Sequence, residues 1–265
     1  MQEEITQAVI FAGGRGERLR PLTDQLPKPL APVNGIPFLD YLLQSLIQAG
    51  MTKILLLLGY QSQKVIDRYG DSLLIELPSS KQKEKLNNGT VKVEYSVGTV
   101  EDLTGRRLLN AYPFLDPRFL LVYGDNYWPI EFQQMRELYQ RKAVKAMTTV
   151  FSNKKGTGEY GAENNVEVGH DFFVKRYDKK RQSLNLTGVD IGYFIVDKSL
   201  LDPNLSGNIS FEEDILTKFI SQRQLIAYIT DTQYFYITDL ASLKRFENFV
   251  TQNNIEPIHL VSSLL

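Results

Sequence analysis

The sequence predicts an α/β fold built on a doubly wound sheet. Two short apolar runs carry that reading: 53–58 (Lys-Ile-Leu-Leu-Leu-Leu) and 119–123 (Phe-Leu-Leu-Val-Tyr) have the look of strands buried on both faces. Near the first of them, Leu39, Leu42, Leu43, Leu46 and Ile47 recur at helical spacing, with Gly50 as the stop. Strand and helix then alternate, which points to a sheet with helices on both faces. The chain has 265 residues, 43% hydrophobic and 23% charged, enough for one domain with a substantial core. A single domain over 1–265 is therefore expected, in halves 1–151 and 152–250 with a tail 251–265.

Taken in order, a strand over 9–12 leads into Gly13, Gly14 and Gly16, three glycines within four residues. Asn34-Gly35 reads as a tight turn, 38–49 as a helix, 53–58 as a strand and 61–69 as a second helix. The stretch 81–89 is a charged loop. Strands follow at 91–97, 119–123 and 146–151, with helices at 104–111 and 130–141. The second half is less regular: short strands at 165–168 and 172–177, an apolar strand at 188–196, and a helix over 210–222 opened by Ser210 and Glu213 as a capping box. Strands at 225–229 and 234–237 and a helix at 240–251 complete the chain. The apolar tail 255–265 packs back on the domain or against a second subunit.

Composition removes several chemistries. Thirty basic residues against 31 acidic ones leave a net charge of −1, which gives no drive toward nucleic acid or membrane surfaces. There are no cysteines and only two histidines, His170 and His259, so disulfides, thiolate sites and multi-histidine metal centres are excluded. The acidic start Met-Gln-Glu-Glu is no signal peptide, and the longest apolar run is too short to span a bilayer. A cytoplasmic protein is the expectation.

The chemistry concentrates in Ala8-Val-Ile-Phe-Ala-Gly-Gly-Arg-Gly-Glu-Arg-Leu-Arg-Pro-Leu-Thr-Asp-Gln-Leu-Pro-Lys-Pro-Leu30. Glycines admit backbone conformations closed to other residues and let a ligand approach the main chain. Successive N–H groups in such a loop form an anion cradle. Arg15, Arg18, Arg20 and Lys28 follow at once, which suggests a polyphosphate. The spacing fits neither a dinucleotide loop nor a P-loop: Leu19 stands where a third glycine would be, and no Gly-Lys-Ser/Thr follows. In an open α/β sheet, ligands sit beyond the carboxyl ends of the strands. Gly59-Tyr60 and Asp125 fall there too. Asp125 is either turn chemistry or a Mg²⁺ ligand, since that ion takes one or two carboxylates and fills its shell with phosphate oxygens.

The string Ala-Gly-Gly-x-Gly-x-Arg-Leu-x-Pro-Leu-Thr with a later Pro-Lys-Pro resembles the signature of the sugar-1-phosphate nucleotidyltransferases. The resemblance covers most of the chain, and the opening through Phe38-Leu-Asp-Tyr-Leu-Leu43 and Leu58-Gly-Tyr60 is most similar to the mannose- and heptose-1-phosphate guanylyltransferase branch. It implies a Rossmann-like doubly wound mixed sheet of the nucleotide-diphospho-sugar transferase type, with 1–151 binding nucleotide and 152–250 binding sugar phosphate. It also implies a Mg²⁺-dependent transfer from a nucleoside triphosphate to a sugar 1-phosphate, preferring GTP. By the same resemblance Arg18, Lys28 and Asp125 are catalytic. Ala12, Gly13, Gly14, Arg15, Gly16, Glu17, Gly59, Tyr60, Thr104 and Gly105 would line the nucleotide. Tyr160, Gly161, Lys179, Asp190 and Glu212 would hold the sugar phosphate, and Asp125 with Asp239 the metal.

Three positions depart from the family pattern. Asp102-Leu-Thr-Gly-Arg-Arg107 stands for Leu-Gly-Thr-Gly-Gly-Ala, so Leu103 and Arg106 replace glycines. Asp178-Lys179-Lys180 stands for Glu-Lys-Pro. Tyr236 stands where the second metal carboxylate is usual, leaving Asp239 as its substitute or as a helix N-cap. Two other functions stay open: cytidylyl transfer to a sugar phosphate or a phosphocholine-like acceptor, and a nucleotide-binding regulatory protein with weak catalysis.

Overall fold

The computed structural model describes residues 4–75, 90–154, 164–257 and 260–262. The charged loop 81–89, Tyr160, Gly161 and His259 lie outside them. Along the chain the elements are β1 (Gln7–Phe11), α1 (Leu22–Gln25), β2 (Pro32–Val33), β3 (Ile36–Pro37), α2 (Phe38–Gln48), β4 (Lys53–Leu58), α3 (Ser62–Tyr69), β5 (Ser72–Ile75) and β6 (Thr90–Val97). There follow α4 (Thr104–Asn110), β7 (Arg118–Tyr123), β8 (Asn126–Tyr127), α5 (Phe132–Lys142), β9 (Ala146–Phe151), β10 (Val166–Val168), β11 (Val174–Tyr177) and β12 (Val189–Asp197). The last elements are a π-type helical turn (Phe211–Leu216) running into α6 (Thr217–Ser221), then β13 (Leu225–Thr230), β14 (Phe235–Tyr236), α7 (Leu240–Gln252) and β15 (Leu260–Ser262).

These elements form two compact units: Met1–Glu101 with Tyr123–Ile130 and Phe235–Leu265, and Asp102–Val122 with Glu131–Tyr234. In the first, the strands run β15-β5-β6-β4-β1. β1, β4 and β6 are parallel, while β5 and β15 are antiparallel to their neighbours. In the second, the order is β13-β9-β12-β7, with β13 parallel to β9 and β12 antiparallel to both β9 and β7. The α/β, mixed-sheet class expected from the sequence is the class observed.

The apolar runs behave as their composition demands. Ile54 to Leu58 are buried without a break, as are Phe119 to Val122. Helix α2 is buried nearly all round, including the carboxylate of Asp40, which accepts hydrogen bonds from Tyr69 Oη (2.5 Å) and the Arg68 guanidinium (2.6 Å). α3 is amphipathic and buries only Val65 and Tyr69, one turn apart. At Asn34-Gly35 both residues have positive φ (50° and 84°), the conformation that closes β2 on β3 in a two-residue hairpin.

Several boundaries differ from the sequence expectation. β5 was not foreseen, because Ser-Leu-Leu-Ile is too short to show a period. β15 pairs antiparallel with β5, so the described part of the tail closes an edge of its own unit's sheet. The strand expected from 172 starts at Val174, since Phe172 (φ 73°) belongs to a turn closed by its N–H on the Gly169 carbonyl. Helix α5 begins at Phe132 rather than 130. Glu131 stays outside it, and its carboxylate accepts hydrogen bonds from the hydroxyls of Tyr228, Thr230 and Thr232.

The capping box at Ser210 is also revised. Ser210 Oγ accepts from the Glu213 N–H (3.3 Å) as expected, but the reciprocal acceptor for the Ser210 N–H is Asp214 Oδ2 (2.7 Å), not Glu213. The π-type turn is wider than an α-turn by one residue, which moves the return contact one position on.

Candidate active site

In the first unit β1 ends at Phe11, and Ala12, buried, donates its N–H to the Leu57 carbonyl (3.0 Å). The chain then leaves the sheet. Among the described residues no hydrogen bond engages the backbone N–H groups of Gly13, Gly14, Arg15 or Gly16. Gly14 is exposed, and nothing lies within 4 Å of where its side chain would be. Of the three glycines only Gly16 uses the left-handed region (φ 67°), and a Cβ there would come within 2.9 Å of Lys28 Cβ and 3.0 Å of Thr23 Cγ2. Gly16 is therefore a packing requirement that lets the stem of Lys28 run under the loop. The hydroxyl of Thr23 donates to the Gly16 carbonyl (2.9 Å), and the Tyr60 hydroxyl to the Thr23 carbonyl (3.3 Å). Tyr60 N–H binds the Gly13 carbonyl (3.1 Å), so Gly59-Tyr60 supports the glycine loop from the end of β4.

Lys28 reaches Asp125. Its Nζ lies 2.6 Å from Asp125 Oδ2, and the lysine side chain is 14% exposed against 35% for the aspartate. Gly124 makes the approach possible: its N–H binds the Phe11 carbonyl (3.0 Å), and a Cβ would sit 2.5 Å from that oxygen. Of the other loop cations, Arg15 pairs with Glu101 (2.5 Å) and Arg20 with Asp24 (3.2 Å). Arg18 and Glu17 are exposed on the short 3-10 turn Glu17–Leu19, and among the described residues Arg18 has no ion-pair partner. The loop thus carries N–H groups with no hydrogen-bond partner among the described residues, an unpaired guanidinium and the lysine of a lysine–carboxylate pair.

Asp239 is the N-cap of α7. Its Oδ1 accepts from the Ser242 N–H (2.8 Å), and Ser242 Oγ accepts in return from the Asp239 N–H (2.9 Å). The hydrogen bond from Ser242 N–H holds its carboxyl below the usual range. Between the two residues, the Ile237 N–H binds the Asp125 carbonyl (3.0 Å), and Tyr236 pairs with Asn126 in the β8–β14 ladder. Among the described residues no group of three or more acidic or histidine side chains is gathered to hold a metal.

The second unit holds a separate cluster. Thr104 Oγ1 donates to Glu212 Oε2 (2.9 Å) and accepts from the Phe211 N–H (2.9 Å); Ser210 Oγ also donates to Glu212 Oε2 (2.7 Å). Gly105 is confined by segment 209–211, where a Cβ would meet the Ile209 carbonyl oxygen at 2.9 Å. Of the two residues expected at the nucleotide, Thr104 is hydrogen-bonded to Glu212 and Gly105 packs against the backbone of 209–211. Arg106 donates to the Gly207 and Leu205 carbonyls and ties down that loop. Asp178 closes a turn through the N–H groups of Lys180, Gln182 and Ser183, and Lys179 Nζ lies 3.8 Å from Glu213.

Asp190 is buried on β12. Its Oδ1 accepts from Thr148 Oγ1 (2.9 Å) and the Gly192 N–H (3.1 Å), while its Oδ2 has no hydrogen-bond partner. Burial pushes its carboxyl up to about 7, with Glu212 adding to the rise against the two hydrogen bonds. Burial also raises the Tyr177 phenol, helped by the charges of Asp190 and Glu212. Thr148 and Ser210 were not read from the sequence as site residues. One sits in an apolar strand and the other at a helix start, each with a sufficient local explanation.

Residues 7–240 match the profile of the nucleotidyl transferase family. The chain belongs to that family. Among curated relatives of this nucleotidyl transferase, a probable glucose-1-phosphate cytidylyltransferase of Bacillus subtilis is 27% identical over 84% of this chain and 87% of its own. The D-glycero-alpha-D-manno-heptose 1-phosphate guanylyltransferase of Aneurinibacillus thermoaerophilus is 26% identical over 86% and 91%. Among solved structures, HddC from Yersinia pseudotuberculosis superposes with a TM-score of 0.70 at 22% identity, covering 92% of this chain and 99% of that one. At that identity the likeness is one of fold. Of the site residues expected from the sequence, the glycine loop, Lys28 and Asp125 are joined by direct contacts, through Gly16 against Lys28 and Lys28 on Asp125. No helix among the described residues is long and apolar enough to cross a membrane.

Proposed function

We propose that the protein is a sugar-1-phosphate nucleotidyltransferase that joins GTP and a mannose- or heptose-type sugar 1-phosphate into a nucleotide-sugar, releasing pyrophosphate. The observation that carries the reading is the 2.6 Å contact of Lys28 with Asp125 beside a glycine loop whose backbone N–H groups are engaged by no hydrogen bond among the described residues. A sugar-phosphate oxygen attacks the α-phosphorus in line, and the bond from that phosphorus to the bridging oxygen breaks toward pyrophosphate. The attacking oxygen is already ionised, so no general base is needed. What the protein must supply is alignment and neutralisation of two repelling polyanions. The open N–H groups, Arg18 and Lys28 do this for the triphosphate; Lys179, Asp190 and Glu212 orient the acceptor.

Asp125 suits Mg²⁺: a part-exposed carboxylate at a strand end, with substrate phosphates to complete the shell. A magnesium ion there would add positive charge between the reacting phosphates. Asp239 has its carboxylate engaged as a cap, so we assign the metal to Asp125 first.

Guanylyltransferases among the relatives support GTP, while the Bacillus subtilis relative favours a second reading, cytidylyl transfer. Pyrophosphate release from each NTP with mannose, heptose and glucose 1-phosphates separates them. Greatest turnover with GTP is expected. Greatest turnover with CTP would replace the first reading by the second, and binding without turnover in any pair would leave a regulatory nucleotide-binding protein.

A further inference from the structure

We propose that Asp190 works as an uncharged carboxylic acid whose Oδ2–H donates a hydrogen bond to an oxygen of the acceptor sugar, so that acceptor recognition requires its proton. The inference rests on the function proposed above only for the identity of the acceptor.

The two oxygens of Asp190 are unequal. Oδ1 takes donors from both sides, Thr148 on β9 and the N–H of Gly192, which a β-bulge and a positive φ of 78° turn back onto it. Oδ2 is buried with no partner. A proton on this carboxyl therefore belongs on Oδ2, since Oδ1 already receives two hydrogens.

The surroundings favour that proton. Glu212, from the π-type turn, accepts the hydroxyls of Thr104 and Ser210 on Oε2, and its charge raises the Asp190 carboxyl. Tyr177, on β11, is held protonated chiefly by its burial, with the charge of Glu212 adding to the rise. The groups acting on Asp190 are its burial, Gly192, Thr148 and Glu212, none of them a cation. A second buried negative charge beside Glu212 is disfavoured on both grounds that raise a carboxyl, desolvation and like charge. The result is a buried O–H donor aimed at no protein acceptor, in the cluster that also holds Thr104, Ser210 and Glu212. Buried donors are rarely left unmatched, and a sugar oxygen supplies the match. A cationic group on the acceptor would instead demand the ionised form.

Asn at this position separates the two cases, because its amide keeps a donor in place of Oδ2–H and an acceptor in place of Oδ1, with nothing to titrate. The test begins with infrared difference spectra of the full chain, wild type minus Asp190→Asn, without ligand, from about pH 5 to about pH 9. We expect a carboxylic-acid carbonyl band that fades through neutrality and is absent from the variant. Thr148→Val, which deletes one donor to Oδ1 and so disfavours the ionised form, should move the midpoint upward, and this keeps the test decisive if the Asn variant folds poorly. The second measurement is the acceptor KM, with mannose 1-phosphate or glucose 1-phosphate, whichever turns over. Relative to Asp190→Asn, the wild-type KM should climb by about tenfold per pH unit above the midpoint. No titrating band near neutrality would overturn the proposal, as would loss of acceptor use in a folded Asp190→Asn protein. Failure of every substrate pair would sink the enzyme function and leave the band intact, whereas a missing band would leave turnover untouched.

Discussion

Lys28 and Asp125 lie 97 positions apart and meet at 2.6 Å. In the structure each is the other's counterion. Asp125→Asn keeps the shape and removes the charge. On the proposed function it should lower turnover by at least about 100-fold, the scale of losing one charge-stabilising group, with a thermal midpoint near wild type. Equal rates for the two proteins would remove Asp125 from the chemistry. Lys28→Ala should raise the KM for NTP more than it lowers kcat, which steady-state kinetics would show directly. Asp190 makes a separate prediction about stability. Its folded carboxyl titrates at about 7 against an ordinary 3.8, so the folded state holds the proton more tightly than the unfolded one. The associated stability is full below the ordinary value and is lost as pH rises through the folded one. Denaturant titrations at pH 5 and pH 8 should show wild type losing on the order of 2–3 kcal/mol relative to Asp190→Asn over that interval.

At the scale of elements, the turn after β7 decides where Asp125 stands. Gly124 presses on the Phe11 carbonyl, Asp125 offers its own carbonyl to Ile237, and Asn126 begins the small ladder with β14. Gly124→Ala should cost about 1–3 kcal/mol by overpacking and lower turnover with it, as chemical denaturation and rate measurements together would reveal. The start of α7 can be tested the same way. Asp239→Ala removes the cap and should destabilise by about 1 kcal/mol, while Asp239→Asn, itself a good cap, should stay near wild type. If Asp239→Asn folds normally yet loses activity, the carboxylate has a role beyond capping. Helix and strand identities were largely legible because period and burial agree within ten or so residues. Boundaries were not: Glu131 leaves α5 for hydroxyls on β13, and the wide turn at Phe211–Leu216 hands the Ser210 N–H to Asp214.

Over the whole molecule, the chain splits into one unit carrying the glycine loop with Asp125 and another carrying Asp190 with Glu212. The tail belongs to the first through β15 on β5. Cutting the chain after Glu256 bares the edge of β5, and the shortened protein should melt at lower temperature and associate as concentration rises. Light scattering across a dilution series would detect it. By itself the sequence determined the fold class, the family and the position of the glycine- and arginine-rich loop, since glycine conformational freedom, charge spacing and hydrophobic period are local properties. Only the tertiary structure decided that Gly16 serves Lys28, that Thr104 binds Glu212, that Asp239 caps a helix and that Asp190 is left with one oxygen unmatched. Those outcomes depend on which distant residues packing brings within hydrogen-bond reach and on how much water it removes, and neither quantity is written in the spacing of residues along a chain.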